Sequence, residues 1–224
     1  MDYKEISSNI WATTDDVLRG DFKPSEYGRI ILPFVVLRRL DSIIEPQKDD
    51  IIKFYNDNKD KLSEESRVIQ TKFNIPFYNH SKYDLSRLLQ DATNIYQNFN
   101  NYLDSFSKNI ESIISNFELS NIIDRLQKGG NLYILIERIT AFNLNIHQVD
   151  NHTMGLIYEE LLRRFSEMAN EESGDHYTPR DAIRALVKIL FSSEKSKLQG
   201  KGVIKSIYDP CVGTGGMLTV SKNW

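Results

Sequence analysis

Along the first two-thirds of the chain, apolar positions recur at helical spacing. Ile6, Ile10, Trp11, Thr14, Val17 and Leu18 lie on one face of a predicted helix. Gly20 and Pro24 then break the chain. A second stripe through Tyr27, Ile30, Ile31, Phe34, Leu37 and Leu40 predicts a helix over 25–40, and Pro33 inside it is expected to kink or restart that helix. Short helices are predicted over 49–58, 63–73 and 85–92, with Asn74-Ile75-Pro76 as a break. Ile95, Phe99, Tyr102, Leu103, Phe106, Ile110, Ile113, Ile114 and Phe117 predict one long amphipathic helix, and two more follow over 132–142 and 153–169.

The pattern changes near Glu171-Glu172-Ser173-Gly174. Thr178-Pro179-Arg180-Asp181 reads as a helix start, with Thr as N-cap, Pro at the first helical position and an acid three residues after the cap. Ile183, Leu186, Val187 and Leu190 continue that helix. Val203, Ile204, Ile207 and Tyr208 predict a strand ending at Asp209-Pro210, followed by Gly213-Thr214-Gly215-Gly216 and a helix from Met217-Leu218. The glycines divide the chain in the same way. None lies between Gly28 and Gly129, whereas five of the eleven fall in the last 25 residues. Glycine weakens helices and serves tight turns. We therefore expect a helical domain over 1–172 and the start of an α/β domain over 173–224. A lone strand–turn–helix cannot cover both faces of a parallel strand, so the sequence reads as the front of a longer protein.

Composition narrows the function classes. Hydrophobic residues make up 40% and charged residues 26% of the 224, as in ordinary globular domains. The longest apolar run, Ile30 to Leu37, is eight residues, far short of the roughly 20 that span a bilayer. The N-terminus, Met1-Asp2-Tyr3-Lys4-Glu5, lacks the basic-then-apolar order of a signal peptide. The expected location is cytoplasmic. Cys211 is the single cysteine, which excludes a disulfide framework within the chain and a Cys-clustered zinc site. His80, His147 and His152 have no ligand-like spacing, so no metal is expected. Arg38-Arg39 and Arg163-Arg164 read as solvated helix faces. Residues 180–205 hold seven Lys or Arg against two acids, a local excess suited either to phosphate contact or to plain solvation. The net charge of −3 over all 224 residues argues against them as the main grip on DNA.

A strand running into a glycine-rich turn and a helix brings backbone N–H groups close to a ligand. The fit to G-x-G-x-x-G is poor, because Gly216 follows Gly215 directly and Thr219 takes the third position. No Gly-Lys-Ser or Gly-Lys-Thr follows for a Walker loop. Spacing alone leaves a nucleotide-like cofactor and a purely structural turn both open.

The wider pattern is more specific. Gly174-Asp175-His176-Tyr177-Thr178-Pro179-Arg180, a helix, and then Tyr208-Asp209-Pro210-Cys211-Val212-Gly213-Thr214-Gly215-Gly216 resembles the amino-methyltransferases of DNA. In particular it resembles the modification subunits of type I restriction–modification systems, which methylate adenine at N6. The stretches 10–20, Ser25-Glu26-Tyr27, Leu37-Arg38-Arg39-Leu40 and Gly155-Leu156-Ile157-Tyr158-Glu159-Glu160-Leu161-Leu162 are similar to theirs as well, whereas 45–130 add almost nothing. The resemblance implies a mainly α chain whose helical N-terminal domain precedes a Rossmann-like methyltransferase domain that uses S-adenosyl-L-methionine. It implies cofactor contacts from Asp175, His176, Tyr177, Thr178, Pro179, Arg180, Gly213, Thr214, Gly215 and Gly216. Asp209 is placed to hold either the glycine turn or the cofactor ammonium. His176 stands where the family commonly has an aromatic, and Cys211-Val212 replaces a small residue followed by Cys.

The family's catalytic (N/D)-P-P-(F/Y) motif is found nowhere in these residues. On the resemblance it lies beyond Trp224, and the 224 residues alone are expected to be inactive. The implied partners are DNA, a specificity subunit, a second modification subunit and a restriction subunit. Two other readings stay open: a helical adaptor with a vestigial glycine turn, and a methyltransferase of another restriction or phage-defence system.

Overall fold

A computed structural model of the chain describes residues 2–61, 67–168, 178, 180–193, 205–213, 215–222 and 224. The chain divides into two compact units, Met1–Leu161 and Leu162–Trp224.

The first unit is helical. Its elements in order are α1 (Tyr3–Leu18), α2 (Tyr27–Ile44), α3 (Lys48–Asn58), α4 (Val68–Phe73), α5 (Leu85–Leu88), α6 (Ile95–Asp104), α7 (Lys108–Ser115), α8 (Leu119–Lys128), α9 (Leu132–Thr140) and α10 (Asn151–Met168), the last running into the second unit. The centre is α2. Its buried positions, among them Tyr27, Ile31, Phe34, Leu37, Asp41 and Ile44, lie on every side of the helix, the pattern of a helix enclosed by others. It packs against α1, α5, α8 and α9. Pro33 does not restart it: of the two expected outcomes the restart is absent, and α2 is helical from Tyr27 to Ile44. Proline removes one intrahelical hydrogen bond, a loss that the surrounding packing of buried Leu32, Phe34 and Val35 outweighs.

The long helix expected over 95–117 is two helices. The chain leaves α6 at Ser105 and re-enters helix at Lys108, because Ser105, Phe106 and Ser107 pair with the 78–80 segment instead. The His80 N–H donates to Ser105 O at 3.0 Å and the Ser107 N–H to Tyr78 O at 2.9 Å. An aromatic row, Phe34–Phe99–Tyr102–Phe106 with neighbouring centroids 5.1 to 5.9 Å apart, then fixes α6 to α2. The sequence pattern also misses α8, although Leu119, Ile123 and Leu126 are its buried face. Of the helix expected over 63–73, only Val68–Phe73 falls within the described residues as helix. Asn74, at φ 52°, caps it in the left-handed region and makes the expected break.

Arg38 and Arg39 are not solvated. They are 8% and 7% exposed. Arg38 Nε donates to Phe142 O at 2.8 Å, and Arg39 donates to the carbonyls of Leu144 and Val149 and to Asn151 Oδ1. The pair closes the connection between α9 and α10, whose carbonyls would otherwise lack donors in the interior. Buried Asp41 accepts from the Leu85 N–H at 2.8 Å and Tyr102 Oη at 2.9 Å, and Lys48 Nζ donates to Asn79 Oδ1 at 3.0 Å and Asn79 O at 3.2 Å.

The second unit contains α11 (Arg180–Ser192) and α12 (Gly216–Lys222), which pack against each other. Of the strand expected over 203–208, residues 203 and 204 lie outside the described residues; residues 205–209 join no ladder among the described residues, and Tyr208 is 86% exposed. A parallel strand is held by neighbours on both sides, and none stands beside this segment among the described residues.

Candidate cofactor site

In the second unit two helix starts are brought together. Ile183, in the first turn of α11, is buried against Gly216, the first residue of α12. At the other end, Phe191 near the close of α11 meets Trp224 just past α12, edge to face with centroids 5.4 Å apart. Start touches start and end touches end, so the two helices run parallel. Thr178, exposed just before α11, and the glycine turn before α12 therefore lie at the same end of the pair.

The turn is built from its own backbone. Gly213 and Gly215 have φ of 49° and 78°, a region that side-chain-bearing residues enter at a cost. The Gly215 N–H donates to Val212 O at 2.7 Å. Asp209 Oδ1 accepts from the Cys211 N–H at 2.9 Å, so this side chain ties down the residues leading into the turn. Thr219 donates from both its N–H, at 3.0 Å, and its hydroxyl, at 2.9 Å, to Gly215 O. In the sequence Thr219 stands where a third glycine of the fingerprint would be, and no spacing rule signals its tie to the turn.

The glycines serve two different needs. A Cβ on Gly215 would meet nothing within 4 Å among the described residues, and one on Gly213 only the Cys211 carbonyl at 3.9 Å. Among the described residues the space beside both is open, the condition for a ligand to reach the backbone. A Cβ on Gly216 would stand 2.5 Å from Ile183 Cδ1. Gly216 is a packing glycine as well as a member of the motif.

Of the expected cofactor residues, Thr178, Arg180, Asp209, Gly213, Gly215 and Gly216 are described, and they flank this end of the helix pair. Asp175, His176, Tyr177, Pro179 and Thr214 lie outside the described residues. Two open clefts of about 590 and 580 Å³ belong to the helical unit, the first lined by Arg67, Asn74 and Asn109 and the second by Arg29, Phe117 and Arg125. Neither contains an expected cofactor residue.

Two family models match the chain. The one described as HsdM N-terminal domain covers residues 6–139, and the one described as N-6 DNA Methylase covers 149–224. The chain belongs to the HsdM N-terminal domain family. Its helical unit is that of a type I restriction–modification modification subunit, and the residues after it open an N6-adenine DNA methyltransferase domain. The HsdM match runs through 45–130, where the short motifs were silent. The N-6 DNA Methylase match includes α10, the glycine turn and both helices of the parallel pair. Among the described residues no helix is long and apolar enough to cross a membrane.

Proposed function

We propose that this protein methylates adenine at N6 in DNA, with S-adenosylmethionine bound where the start of α11 meets the glycine turn. The observation that carries the reading is that turn: two glycines at positive φ beside space left open by the described residues, held by Asp209 and Thr219, at the same end of the helix pair as an exposed Thr178. The parallel helix pair supports it further. It brings the start of α11 and the glycine turn to one end.

When bound, S-adenosylmethionine supplies an electrophilic methyl group on a sulfonium. The chain's own residues place it. Thr178 donates its hydroxyl to the cofactor carboxylate, and Gly213 and Gly215 let the backbone come close. Asp209 keeps one oxygen on the Cys211 N–H and offers the other to the cofactor ammonium. Asp175, His176, Tyr177, Pro179, Arg180 and Thr214 complete the contacts in this reading, and Gly216 contributes through the packing of α12. The acceptor adenine leaves the DNA stack to reach such a site. The helical domain, over 1–172, contacts DNA and the specificity, second modification and restriction subunits, in the cytoplasm where the DNA is.

Methyl transfer tests the proposal. The intact protein with its specificity subunit is given radiolabelled S-adenosylmethionine and duplex DNA, and the DNA is digested to nucleosides. Label in N6-methyladenine, lost on Gly213→Val, is the expected result. Label in methylcytosine, or none with a folded complex, overturns it.

A further inference from the structure

The contact between Ile183 and Gly216 lies between the two segments that the cofactor reading joins. Ile183 is 3% exposed, and its Cδ1 occupies the volume a Cβ on Gly216 would need, at 2.5 Å. The absence of a side chain at the first position of α12 thus lets that helix start close against the first turn of α11. Gly215 immediately precedes α12 at this contact, and Thr178 stands two residues before α11 and five before Ile183. The Phe191–Trp224 contact pins the far end of the pair. A change in the near-end separation therefore pivots the glycine turn relative to Thr178 and leaves the far end in place.

We infer that Ile183 is a positioning residue for the cofactor site: its side chain, seated in the space left by Gly216, sets the distance between the glycine turn and the start of α11. Gly216 acts by admitting Ile183, and its own contact with the cofactor is dispensable. This inference rests on the cofactor reading above. The motif as a sequence groups Gly216 with Gly213 and Gly215 and gives Ile183 no role beyond apolar spacing.

A volume exchange separates the two roles. Gly216→Val, Ile183→Ala and the double variant are made in the intact protein. S-adenosylmethionine affinity is measured by calorimetric titration well below each unfolding midpoint, which is determined separately. A purely structural defect lowers the midpoint and leaves the affinity of the folded protein unchanged. The expected result is that Gly216→Val weakens binding about tenfold, equivalent to ~1.4 kcal/mol, and that adding Ile183→Ala restores affinity to the level of Ile183→Ala alone, a coupling of the kind contacting residues show. Two results overturn the inference alone: a Gly216→Val defect that Ile183→Ala does not relieve, or unchanged affinity in folded Gly216→Val. Failure of the folded wild-type protein to bind overturns the cofactor reading, and this inference with it.

Discussion

Arg39 shows how far a residue's role can depart from its type. Its guanidinium lies in the interior and donates to two carbonyls and an amide oxygen around residues 144–151. Burial is the larger effect on its basicity and lowers its pKa, with Asp150 opposing. Substituting Arg39→Met leaves the carbonyls of Leu144 and Val149 without donors, at about 1–3 kcal/mol for each such group. We expect urea unfolding of Arg39→Met to be destabilised by several kcal/mol, and a loss below 1 kcal/mol would contradict the buried role. Asp41 carries a second residue-scale prediction. Burial pushes its carboxyl up to about 7, against the pull of its hydrogen bonds from Leu85 and Tyr102. A folded pKa raised above the unfolded one contributes stability at low pH that is lost as pH rises through the folded value. Wild type should therefore lose stability relative to Asp41→Asn as pH goes from 5 to 7, below the point where Lys48, whose pKa burial lowers to about 8, loses its proton, by on the order of 2 kcal/mol. The comparison with the Asn variant cancels the effect of His80, whose pKa burial lowers. A difference that stays constant over that range would rule out a raised Asp41.

Element boundaries follow from local chemistry only where the deciding partner is nearby in sequence. Asn74 ends α4 through its own left-handed backbone, and Asn-Ile-Pro announces this directly. The break between α6 and α7 is different. Its cause is the 78–80 segment, some 25 residues earlier, which takes the backbone groups of Ser105 and Ser107. No periodicity within 95–117 can reveal that, and the continuous apolar stripe argues for the wrong answer. The uninterrupted α2 has the same origin, since packing on every side overrides Pro33. Glu118 marks a boundary of a third kind. It precedes α8 at φ 49° and ψ 40°, a conformation glycine adopts without penalty. Glu118→Gly should raise stability by about 0.5–1 kcal/mol in thermal or urea unfolding, the usual scale for backbone effects of this kind. Destabilisation would mean that the Glu118 side chain makes a contact worth more than the strain.

At the scale of the whole molecule, the two units were legible to different degrees. Helix content and the change of pattern after residue 170 follow from apolar spacing and from where the glycines lie, because those are local properties. The central place of α2 does not, since it depends on Arg38, Arg39 and Asp41 being enclosed by helices distant in sequence. In the candidate site, the turn and Thr178 could be read directly as motifs. The Ile183 contact could not, because it joins residues whose proximity only the parallel packing of α11 and α12 creates. The family matches bear on both units, and the central claim is that the turn and the start of α11 together bind S-adenosylmethionine. The most direct measurement is a calorimetric titration of that molecule into the intact protein, beside Thr178→Val, a near-isosteric change at an exposed position. Wild type is expected to bind saturably with micromolar affinity and the variant at least about tenfold more weakly, consistent with the loss of one hydrogen bond to a charged group. Equal affinities, or no heat of binding from folded wild type, would contradict it.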